Sequence, residues 1–226
     1  MGKEKILVVD DENRMRKLVK DFLTREGYRV LEACDGEEAM EVFYENKDID
    51  LIILDVMMPK MEGWQVCREV RRISQKVPVI MLTARASEQD ELLGFELGVD
   101  EYISKPFSPK ILVARVSAIL RRTIGSVEGD LSEAGGIRVD KAAHIVTVDG
   151  KEIELSFKEF ELLTYFIENA GIALSREKIL NSVWNYDYFG DARTIDTHVK
   201  KIRSKLGAKG EYIKTIWGMG YKFEVD

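Results

Sequence analysis

Cysteines and long apolar runs are scarce in this sequence, and their scarcity argues against several classes of protein. Cys34 and Cys67 are the only cysteines and belong to no Cys-x-x-Cys or Cys/His group, which argues against a disulfide framework and a zinc site. The longest apolar stretches, such as Leu51 to Leu54, fall far short of the ~18 residues of a membrane span. Residues 1–5 lack the apolar segment of a secretion signal. We therefore expect a soluble protein of the reducing cytoplasm, with no membrane partner.

Positive charge is not in excess either, since the formal net charge of the 226 residues is −6. This sign argues against a chain that coats nucleic acid indiscriminately, although a net value hides local fields. The sequence has no internal repeat and no low-complexity segment. With 45% hydrophobic and 33% charged residues it can bury a sizeable core, so we expect one or two folded domains.

The first half of the sequence alternates short aliphatic runs with amphipathic stretches. Continuous apolar runs such as Leu51 to Leu54 and Val77 to Leu82 are typical of strands buried on both faces. The pattern predicts five βα units, and hence an α/β domain in which a doubly wound, flavodoxin-like sheet of five parallel strands has helices on both faces. The predicted pairs of strand and helix are 6–9 with 14–25, 28–33 with 37–44, 51–54 with 64–73, 77–82 with 90–97, and 102–103 with 111–120.

The alternation of apolar runs and amphipathic stretches ends after Arg122, and the following residues up to Gly136 are mostly small and polar. We expect a first domain at residues 1–122, a linker at 123–136 and a second, α+β domain at 137–226. In the second domain, Asp149-Gly150 predicts a hairpin turn. Its predicted elements are strands around 137–139 and 145–148, helices at 156–169, 175–184 and 192–206, and a closing hairpin of 212–217 and 221–225.

Several predicted strands of the first domain end in groups suited to phosphoryl chemistry. Asp10 and Asp11 follow the first strand, Asp55 ends the third, Thr83 ends the fourth, and Lys105 follows the fifth. The carboxyl ends of parallel strands meet at one edge of a sheet, so these groups would converge. Each alone is an ordinary turn, cap or loop residue. Together they suit a Mg²⁺ site completed by phosphate oxygens, in which a carboxylate can also act as a nucleophile towards phosphorus.

Four motifs resemble the receiver domain of two-component response regulators, in this order and spacing. They are Val8 to Glu12, Ile53 to Pro59, Met81 to Ala84 and Lys105 to Phe107, and the resemblance covers about residues 4–122. It implies that Asp55 accepts a phosphoryl group from a sensor histidine kinase. The Mg²⁺ ligands implied by the resemblance are Asp10, Asp11, Asp55 and the backbone carbonyl of Met57.

The same resemblance implies roles for three further side chains and one peptide bond. Thr83 contacts the phosphoryl group through its hydroxyl, Lys105 contacts it through its amine, and the Lys105–Pro106 bond is cis. Tyr102 is the aromatic switch that turns inward when Thr83 moves towards the phosphoryl group. The alternative is that Tyr102 is only a half-buried strand residue.

Cations are concentrated in the last predicted helix of the second domain. Each half of the chain has a net charge of −3, but residues 193–209 hold six cations and one acid, Asp196. Ile195, Val199 and Ile202 share the face that must be buried. A charged outer face is often only solvated, but cations of one sign suit phosphate contacts, and a helix fits the DNA major groove. The residues predicted to point outward are Arg193, Thr194, Thr197, Lys200, Lys201 and Ser204.

The second domain resembles the winged-helix output domain of the OmpR/PhoB class, over about residues 137–226. The resemblance rests on Leu155 to Leu163, Leu174 to Glu177, Arg193 to Val199 and Gly218 to Tyr221. It implies that 192–206 is a recognition helix and 217–221 a wing that bind double-stranded promoter DNA. Many relatives have Arg where this chain has Trp217, which puts a wing contact with the minor groove in doubt. The DNA-binding residues by this resemblance are Arg193, Thr194, His198, Lys201, Arg203, Trp217 and Tyr221. The alternative for His198 is a residue at the edge of the groove or in the core.

Phosphorylation in this family promotes a homodimer through the fourth helix, fifth strand and fifth helix of the receiver. The ion pairs across its two-fold axis that the resemblance implies are Glu101 with Arg115 and Asp100 with Arg122. A third pair of the family is lost here, because Glu91 and Ile111 occupy its two positions. Surface ion pairs contribute only ~0–1 kcal/mol each, so pairing could survive, with Ile111 adding apolar area.

The resulting hypothesis is a phosphorylation-controlled transcription factor rather than an enzyme with an external substrate. One alternative is a Mg²⁺-dependent phosphatase or phosphotransferase that uses the same acids. The sequence shows no second general acid or base near Asp55 and no Gly-rich phosphate loop, which argues against it. The other alternative is a constitutive DNA-binding protein whose receiver is only a dimerisation scaffold.

Overall fold

The computed structural model describes residues 4–84, 97–123, 131–184 and 193–225, and only the backbone of Arg122, Thr123 and Arg193. The chain forms two compact units, residues 1–122 and 123–226. No helix among the described residues is long and apolar enough to cross a membrane.

The first unit contains one parallel sheet with strand order β2-β1-β3-β4-β5, which confirms the predicted fold. All residues of β3 and β4 are buried, as the continuous apolar runs predict. The predicted helix at 90–97 lies, except for its last residue, outside the described residues. The strands are β1 (Lys5–Val9), β2 (Arg29–Ala33), β3 (Leu51–Asp55), β4 (Val79–Thr83) and β5 (Glu101–Ser104), and the helices are α1 (Asn13–Arg25), α2 (Gly36–Glu45), α3 (Gly63–Ile73) and α4 (Pro109–Thr123).

Local sequence fixes where α2 and α3 begin. The Asp35 carboxylate accepts a hydrogen bond from the backbone N–H of Glu38 and caps α2. Glu62 and Gln65 form a capping box at the start of α3. Gly63 allows that helix to approach the sheet, because a Cβ there would lie 2.2 Å from the backbone oxygen of Asp55. The start of α3 is therefore held directly against the end of β3.

The second unit packs three helices with two antiparallel sheets, whose orders are β6-β7-β8-β9 and β10-β12-β11. Both sheets and all three helices contribute buried side chains to a single apolar core. The strands are β6 (Leu131–Ala134), β7 (Ile137–Asp140), β8 (Ile145–Val148), β9 (Lys151–Ile153), β10 (Ala173–Ser175), β11 (Ile213–Ile216) and β12 (Gly220–Phe223), and the helices are α5 (Phe157–Glu168), α6 (Arg176–Val183) and α7 (Arg193–Leu206), followed by a 3₁₀ helix at Gly207–Tyr212.

A capping box begins α5 and also ties it to α7. Ser156 accepts from the backbone N–H of Glu159, and the Glu159 carboxylate accepts from the backbone N–H of Ser156 at 2.8 Å. The same carboxylate oxygen accepts from Lys205, in the last turn of α7, at 2.6 Å. One buried glutamate therefore joins a helix start to a helix end.

The structure differs from the predicted linker at its C-terminal end. Residues 131–134 form β6, which pairs with β7 across a turn at Gly135 and Gly136, so 131–136 belong to a sheet. Residues 124–130 lie outside the described residues. The predicted hairpin at Asp149-Gly150 is confirmed, since both residues have positive φ angles, of 49° and 79°, between paired β8 and β9.

Candidate functional site

Three carboxylates meet at the carboxyl end of the parallel sheet. The side-chain oxygens of Asp10, Asp11 and Asp55 lie within 4.8 Å of one another. Asp10 and Asp55 are buried, whereas Asp11 is exposed. Lys105, which follows β5, donates to Asp10 Oδ2 at 2.7 Å and pairs with Asp55 Oδ2 at 2.9 Å. The ends of β1, β3 and β5 thus bring one amine between two buried acids.

Backbone hydrogen bonds hold these groups in place. The N–H of Glu12 donates to Asp10 Oδ1 at 2.9 Å, and the guanidinium of Arg16 in α1 donates to the Asp10 carbonyl at 2.6 Å. The backbone N–H of Lys105 donates to the carbonyl of Thr83 at 2.7 Å, so the ends of β4 and β5 stay together. The two buried carboxylates and the amine are therefore held on strand ends rather than on free loops.

Burial controls the charge of this cluster. It raises the pKa of Asp55, and the neighbouring Asp10 acts in the same direction, while hydrogen bonding to Lys105 acts against both. Burial alone would lower the pKa of Lys105, but hydrogen bonds to Asp10 and Asp55 outweigh it and raise that pKa. Among the described residues, the Lys105 amine thus pairs with two of the three acids. The excess of hard oxygen ligands fits a small divalent cation.

Thr83, Tyr102 and Met57, which are also predicted for this site or its switch, lie in different environments. Thr83 is buried at the end of β4. Tyr102 is half-buried in β5, with its ring centroid 6.2 Å from that of Trp64 in α3. Met57 is 68% exposed, so its side chain lies open to solvent beside Asp55. The predicted cis peptide bond between Lys105 and Pro106 is confirmed.

The structure corrects the role predicted for Asp100 in the dimer. Asp100 is fully buried, and its Oδ2 accepts from Arg71 Nη2 at 2.7 Å and from the backbone N–H of Val79 at 2.8 Å. A carboxylate in this position is not on the surface, so it does not reach a second chain. The side chain of Arg122, its predicted partner, lies outside the described residues.

Sequence reasoning missed the network around Arg71. Its guanidinium also donates to the carbonyls of Gly98 and Val77, at 2.9 and 2.6 Å, and thereby joins the end of α3 to the segments before β4 and β5. Neither Arg71 nor Asp100 lies in a motif that indicates this pairing. The hint available in the sequence is that an acid precedes an apolar strand, which is too common to predict a partner.

The other residues predicted for the dimer differ in exposure. Glu101 is buried like Asp100 and pairs with Arg115 within the chain, at 3.0 Å, whereas the side chain of Arg115 is 17% exposed. Ile111, in the first turn of α4, is 54% exposed. An apolar side chain with this exposure is available to a partner surface.

The structure buries three of the residues predicted to face DNA, which corrects those assignments. Thr194 and His198 are each 1% exposed, because α7 packs its first turns against α5 and α6. The His198 ring packs edge-on against Trp184, at 5.0 Å between centroids, and its Nδ1 is 2.9 Å from the carbonyl of Thr194. Burial lowers the pKa of His198 to about 4. Tyr221 is 4% exposed, in β12.

Tyr221 instead links the wing strand to two helices. Its hydroxyl donates to Asp196 Oδ1 in α7 at 2.6 Å, and Arg176 at the start of α6 donates to the same oxygen at 2.8 Å. The guanidinium carbons of Arg176 and Arg203 lie 5.1 and 5.6 Å from the Tyr221 ring centroid. Burial and the Asp196 carboxylate raise the pKa of Tyr221 to about 12. The negative charge of Asp196 is therefore balanced by Arg176 within the unit.

Arg203 has a positioning role that its sequence pattern did not predict. It donates through Nε and Nη2 to the carbonyl of Ile213, at 3.1 and 2.5 Å, and through Nη2 to Thr215 Oγ1 at 2.9 Å. These bonds fix β11 beside α7. Lys200 and Ser204 are exposed on α7, and Lys201 is half-buried. The backbone of Arg193 begins the helix, while its side chain lies outside the described residues.

The residues of the hairpin between β11 and β12 that lie at its tip are all exposed. Trp217 has 92% of its surface exposed and Met219 has 46%. Gly218 between them has a φ angle of 75°. The tip therefore presents an indole and a thioether to solvent.

Comparisons with known proteins agree with both halves of this structure. Residues 6–117 match the response regulator receiver domain family, and residues 150–223 match the family of transcriptional regulatory proteins, C terminal. The chain is 44% identical over 231 aligned positions to the transcriptional regulatory protein SrrA of Staphylococcus aureus, covering 97% of this chain and 95% of SrrA. The chain belongs to the OmpR/PhoB family of response regulators.

Solved structures agree with this membership of the OmpR/PhoB family. The response regulator DrrB, an OmpR/PhoB homologue from Thermotoga maritima, is 37% identical with a TM-score of 0.52, covering 98% of this chain and 99% of DrrB. A mutant of RitR is 29% identical with a TM-score of 0.73, covering 99% of this chain and all of that one. The protein is thus a DNA-binding transcriptional response regulator rather than a classical enzyme. Its receiver implies a histidine kinase as partner.

Proposed function

We propose that this response regulator is switched by transfer of a phosphoryl group from a histidine kinase to Asp55. The observation that carries the proposal is the position of Lys105, which pairs with Asp10 and Asp55 at the end of the parallel sheet. In the transfer, an Asp55 carboxylate oxygen forms a bond to phosphorus while the bond from phosphorus to the donor breaks. The amine of Lys105 then neutralises phosphoryl charge, and the hydroxyl of Thr83 donates to a phosphoryl oxygen.

The acidic cluster would hold Mg²⁺ through Asp10, Asp11, Asp55 and the Met57 carbonyl. Three carboxylates within 4.8 Å of one another have the oxygen donors that this ion prefers, and they carry more negative charge than the Lys105 amine that pairs with two of them can balance. When bound, the ion supplies positive charge to the transferring phosphoryl oxygens. The chain's own residues position the reacting groups. The end of β3 orients the Asp55 carboxylate, and the bonds to Asp10 and Asp55 orient the Lys105 amine. Dephosphorylation of Asp55 would occur at the same groups.

We further propose that phosphorylation promotes a homodimer through the face that includes Ile111 and Arg115. Ile111 is exposed on α4 and supplies apolar area, and Arg115 lies one helical turn further along the same helix. Tyr102 of β5 would turn inward as Thr83 moves and so change this face. Two joined DNA-binding units then bind neighbouring half-sites more tightly than one. Because its target is promoter DNA, we propose that the protein acts in the cytoplasm.

The test is intact-mass spectrometry after incubation with Mg²⁺ and a small phosphodonor, followed by sedimentation and DNA binding on the same samples. We expect one phosphoryl adduct that requires Mg²⁺, a rise in mass with concentration, and tighter DNA binding. Asp55→Asn removes the acceptor and should give none of these. Asp48→Asn is the matched control, because Asp48 is an exposed aspartate of the same unit that pairs with Lys5.

Two results would contradict the proposal. An adduct on Asp55→Asn would place the acceptor elsewhere. Phosphorylation that changes neither the oligomeric state nor DNA affinity would show a constitutive DNA-binding protein.

A further inference from the structure

The β3–α3 loop, residues 56–62, holds one residue in a strained backbone conformation. Lys60 has a φ angle of 64°, in the left-handed region that side chains other than those of Asn, Asp and His seldom adopt. Such a conformation costs free energy and persists only where the surrounding structure holds it. A lysine at this position therefore indicates that its side chain makes a contact that offsets the cost.

That contact is an ion pair with Asp35 at the start of α2. The Lys60 amine donates to Asp35 Oδ2, while Asp35 Oδ1 accepts from the backbone N–H of Glu38. The side chain of Asp35 is only 6% exposed, whereas that of Lys60 is 56% exposed. Their hydrogen bond lowers the pKa of Asp35 and raises that of Lys60, so both groups are charged near neutral pH. Lys60 thus balances the charge of a carboxylate that is almost fully buried.

The end of the loop also packs tightly on the start of α2. A Cβ on Gly36 would lie 2.7 Å from the Cβ of Met61, so only glycine fits between the helix and the loop. Within the loop, the backbone N–H of Met61 donates to the carbonyl of Pro59 at 2.8 Å. Two consecutive residues, Lys60 and Met61, therefore fix the end of the loop to α2.

The beginning of the loop contacts the Asp55 carboxylate. The backbone N–H of Met57 donates a hydrogen bond to this carboxylate and opposes the effect of burial on the pKa of Asp55. The N–H of Gly63 donates to the carbonyl of Val56 at 3.0 Å, which holds the two ends of the loop together. A displacement of Lys60 relative to α2 would therefore pass along the loop to Met57 and to the Asp55 carboxylate.

We propose that Lys60 is a positioning residue for the Mg²⁺ site, because its pair with Asp35 holds the β3–α3 loop where Met57 contacts Asp55. This inference rests on the proposed function, in which Asp55 and the Met57 carbonyl bind the ion. Lys60 acts through the loop, so it sets the affinity for Mg²⁺ rather than the limiting rate of phosphoryl transfer. Removing a group that orients metal ligands typically weakens metal binding by about 10- to 100-fold.

The test measures Mg²⁺ affinity directly, from the amide NMR signals of Asp11 and Met57 as MgCl₂ is added to the full chain. Lys60→Met removes the amine but keeps the backbone strain, so we expect the dissociation constant for Mg²⁺ to rise by about tenfold. Lys60→Gly also removes the amine, but glycine adopts this φ angle without strain, so the rise should be smaller. At saturating Mg²⁺, both variants should be phosphorylated by a small phosphodonor at the wild-type rate.

The expected direction distinguishes positioning from simple electrostatics. Loss of a positive charge near the three acids would by itself attract Mg²⁺ more strongly and lower the dissociation constant. A rise in Lys60→Met therefore cannot come from the change of charge. A merely structural role would lower the stability of the unit without changing Mg²⁺ affinity in the folded chain, and the same NMR spectra show whether each variant is folded.

Asp35→Asn tests the pair from its other side. Asparagine still caps α2 but carries no charge, so this variant tests the inference even if Lys60→Met does not fold. It should also weaken Mg²⁺ binding. The double variant Lys60→Met/Asp35→Asn should bind Mg²⁺ no more weakly than the weaker of the two single variants, because both break the same contact. Additive losses would show that the two residues act separately and would overturn the inference.

Lys20→Ala is the matched control. Lys20 in α1 forms an ion pair with Glu32 in β2, and its side chain is 44% exposed. Its loss should leave the Mg²⁺ dissociation constant unchanged, and a loss of affinity equal to that of Lys60→Met would overturn the inference.

Two further results separate this inference from the proposed function. Wild-type Mg²⁺ affinity in Lys60→Met, or a lower limiting rate with unchanged affinity, overturns the inference and leaves the proposed function standing. No response of the Asp11 and Met57 signals to Mg²⁺ in the wild-type chain, together with no phosphoryl adduct, would overturn the proposed function as well.

Discussion

Arg71 and Arg72 are consecutive residues of α3 in opposite environments. The Arg71 side chain is 7% exposed against a fully buried Asp100, whereas that of Arg72 is 68% exposed against Glu69. Arg71→Gln would leave a buried carboxylate without its charged partner and should cost about 3–5 kcal/mol of unfolding free energy. Arg72→Gln should cost about 0.5 kcal/mol or less. Urea denaturation measures both, and equal costs would mean that the buried pair is not a stabilising contact.

His198 makes the stability of the second unit depend on pH. Its pKa is about 4 in the folded chain and about 6.5 when unfolded, so between these values the unfolded state binds the extra proton. The contribution of His198 is complete above pH 6.5 and is lost as the pH falls towards 4. From pH 7 to pH 5 the loss should be about 2 kcal/mol.

The pH effect can be measured with Trp184, which is buried against His198. In a chain with Trp64→Phe and Trp217→Phe, only Trp184 emits, and its fluorescence reports unfolding of the second unit. His198→Gln cannot titrate, so its loss of stability between pH 7 and pH 5 should be smaller by about 2 kcal/mol. Identical pH profiles for the two chains would refute this role of His198.

At the scale of residues, the sequence predicted the acidic cluster but not the buried ion pair. Asp10, Asp55 and Lys105 follow from strand ends, because continuous apolar runs fix where β1, β3 and β5 stop. Arg71 and Asp100 are 29 positions apart, and only packing in three dimensions makes them partners. His198 was assigned to the DNA-facing positions through the resemblance to the output domain, whereas packing buries its ring against Trp184.

Elements of the second unit are joined by Tyr221, which binds α7 through its hydroxyl. Tyr221→Phe removes the 2.6 Å hydrogen bond to Asp196 while Arg176 stays in place. The loss should be about 1 kcal/mol, because the acceptor is charged but partly solvated. Tyr212→Phe is the control, since its hydroxyl is 3.4 Å from the Gly135 carbonyl and its loss should cost less. Chemical denaturation of the two variants compares them, and a larger loss for Tyr212→Phe would contradict the assignment.

At the scale of elements, the number of residues in a strand or helix decided whether the sequence pattern could predict it. The five strands of the parallel sheet and three helices of the second unit are long enough to show their periodicity. β9 and β10 have three residues each and show none, and β6 lies in a segment whose small, polar residues are typical of a linker. These short strands exist because neighbouring strands supply hydrogen-bond partners.

The whole molecule consists of two units with separate apolar cores. We expect fragments 1–123 and 131–226 each to fold alone, because each retains its own core and sheets. Heteronuclear NMR spectra of the fragments should show dispersed amide signals that overlay on those of the full chain, except near the cut. A fragment with collapsed amide dispersion would show that its core is incomplete without the other unit.

Composition and pattern predicted the architecture of the whole molecule better than its surfaces. The spacing of apolar residues and the positions of turn residues determine which helices and strands form. Both can be read from a single segment of the sequence. Which side chains face DNA or a second copy depends on packing between segments, as Thr194, Asp100 and Tyr221 show. Trp217 is a partial exception, because an aromatic next to a glycine at a hairpin tip has little to pack against.

The bond between Glu159 and Lys205 spans 46 positions of sequence. As the chain leaves the ribosome, the capping box with Ser156 forms first, since its residues are three apart. The Lys205 ammonium arrives only after the rest of the helical bundle has emerged. The start of α5 is thus nucleated locally and secured late, so a nascent chain stalled before residue 205 leaves the side of α5 that α7 covers in the folded unit exposed.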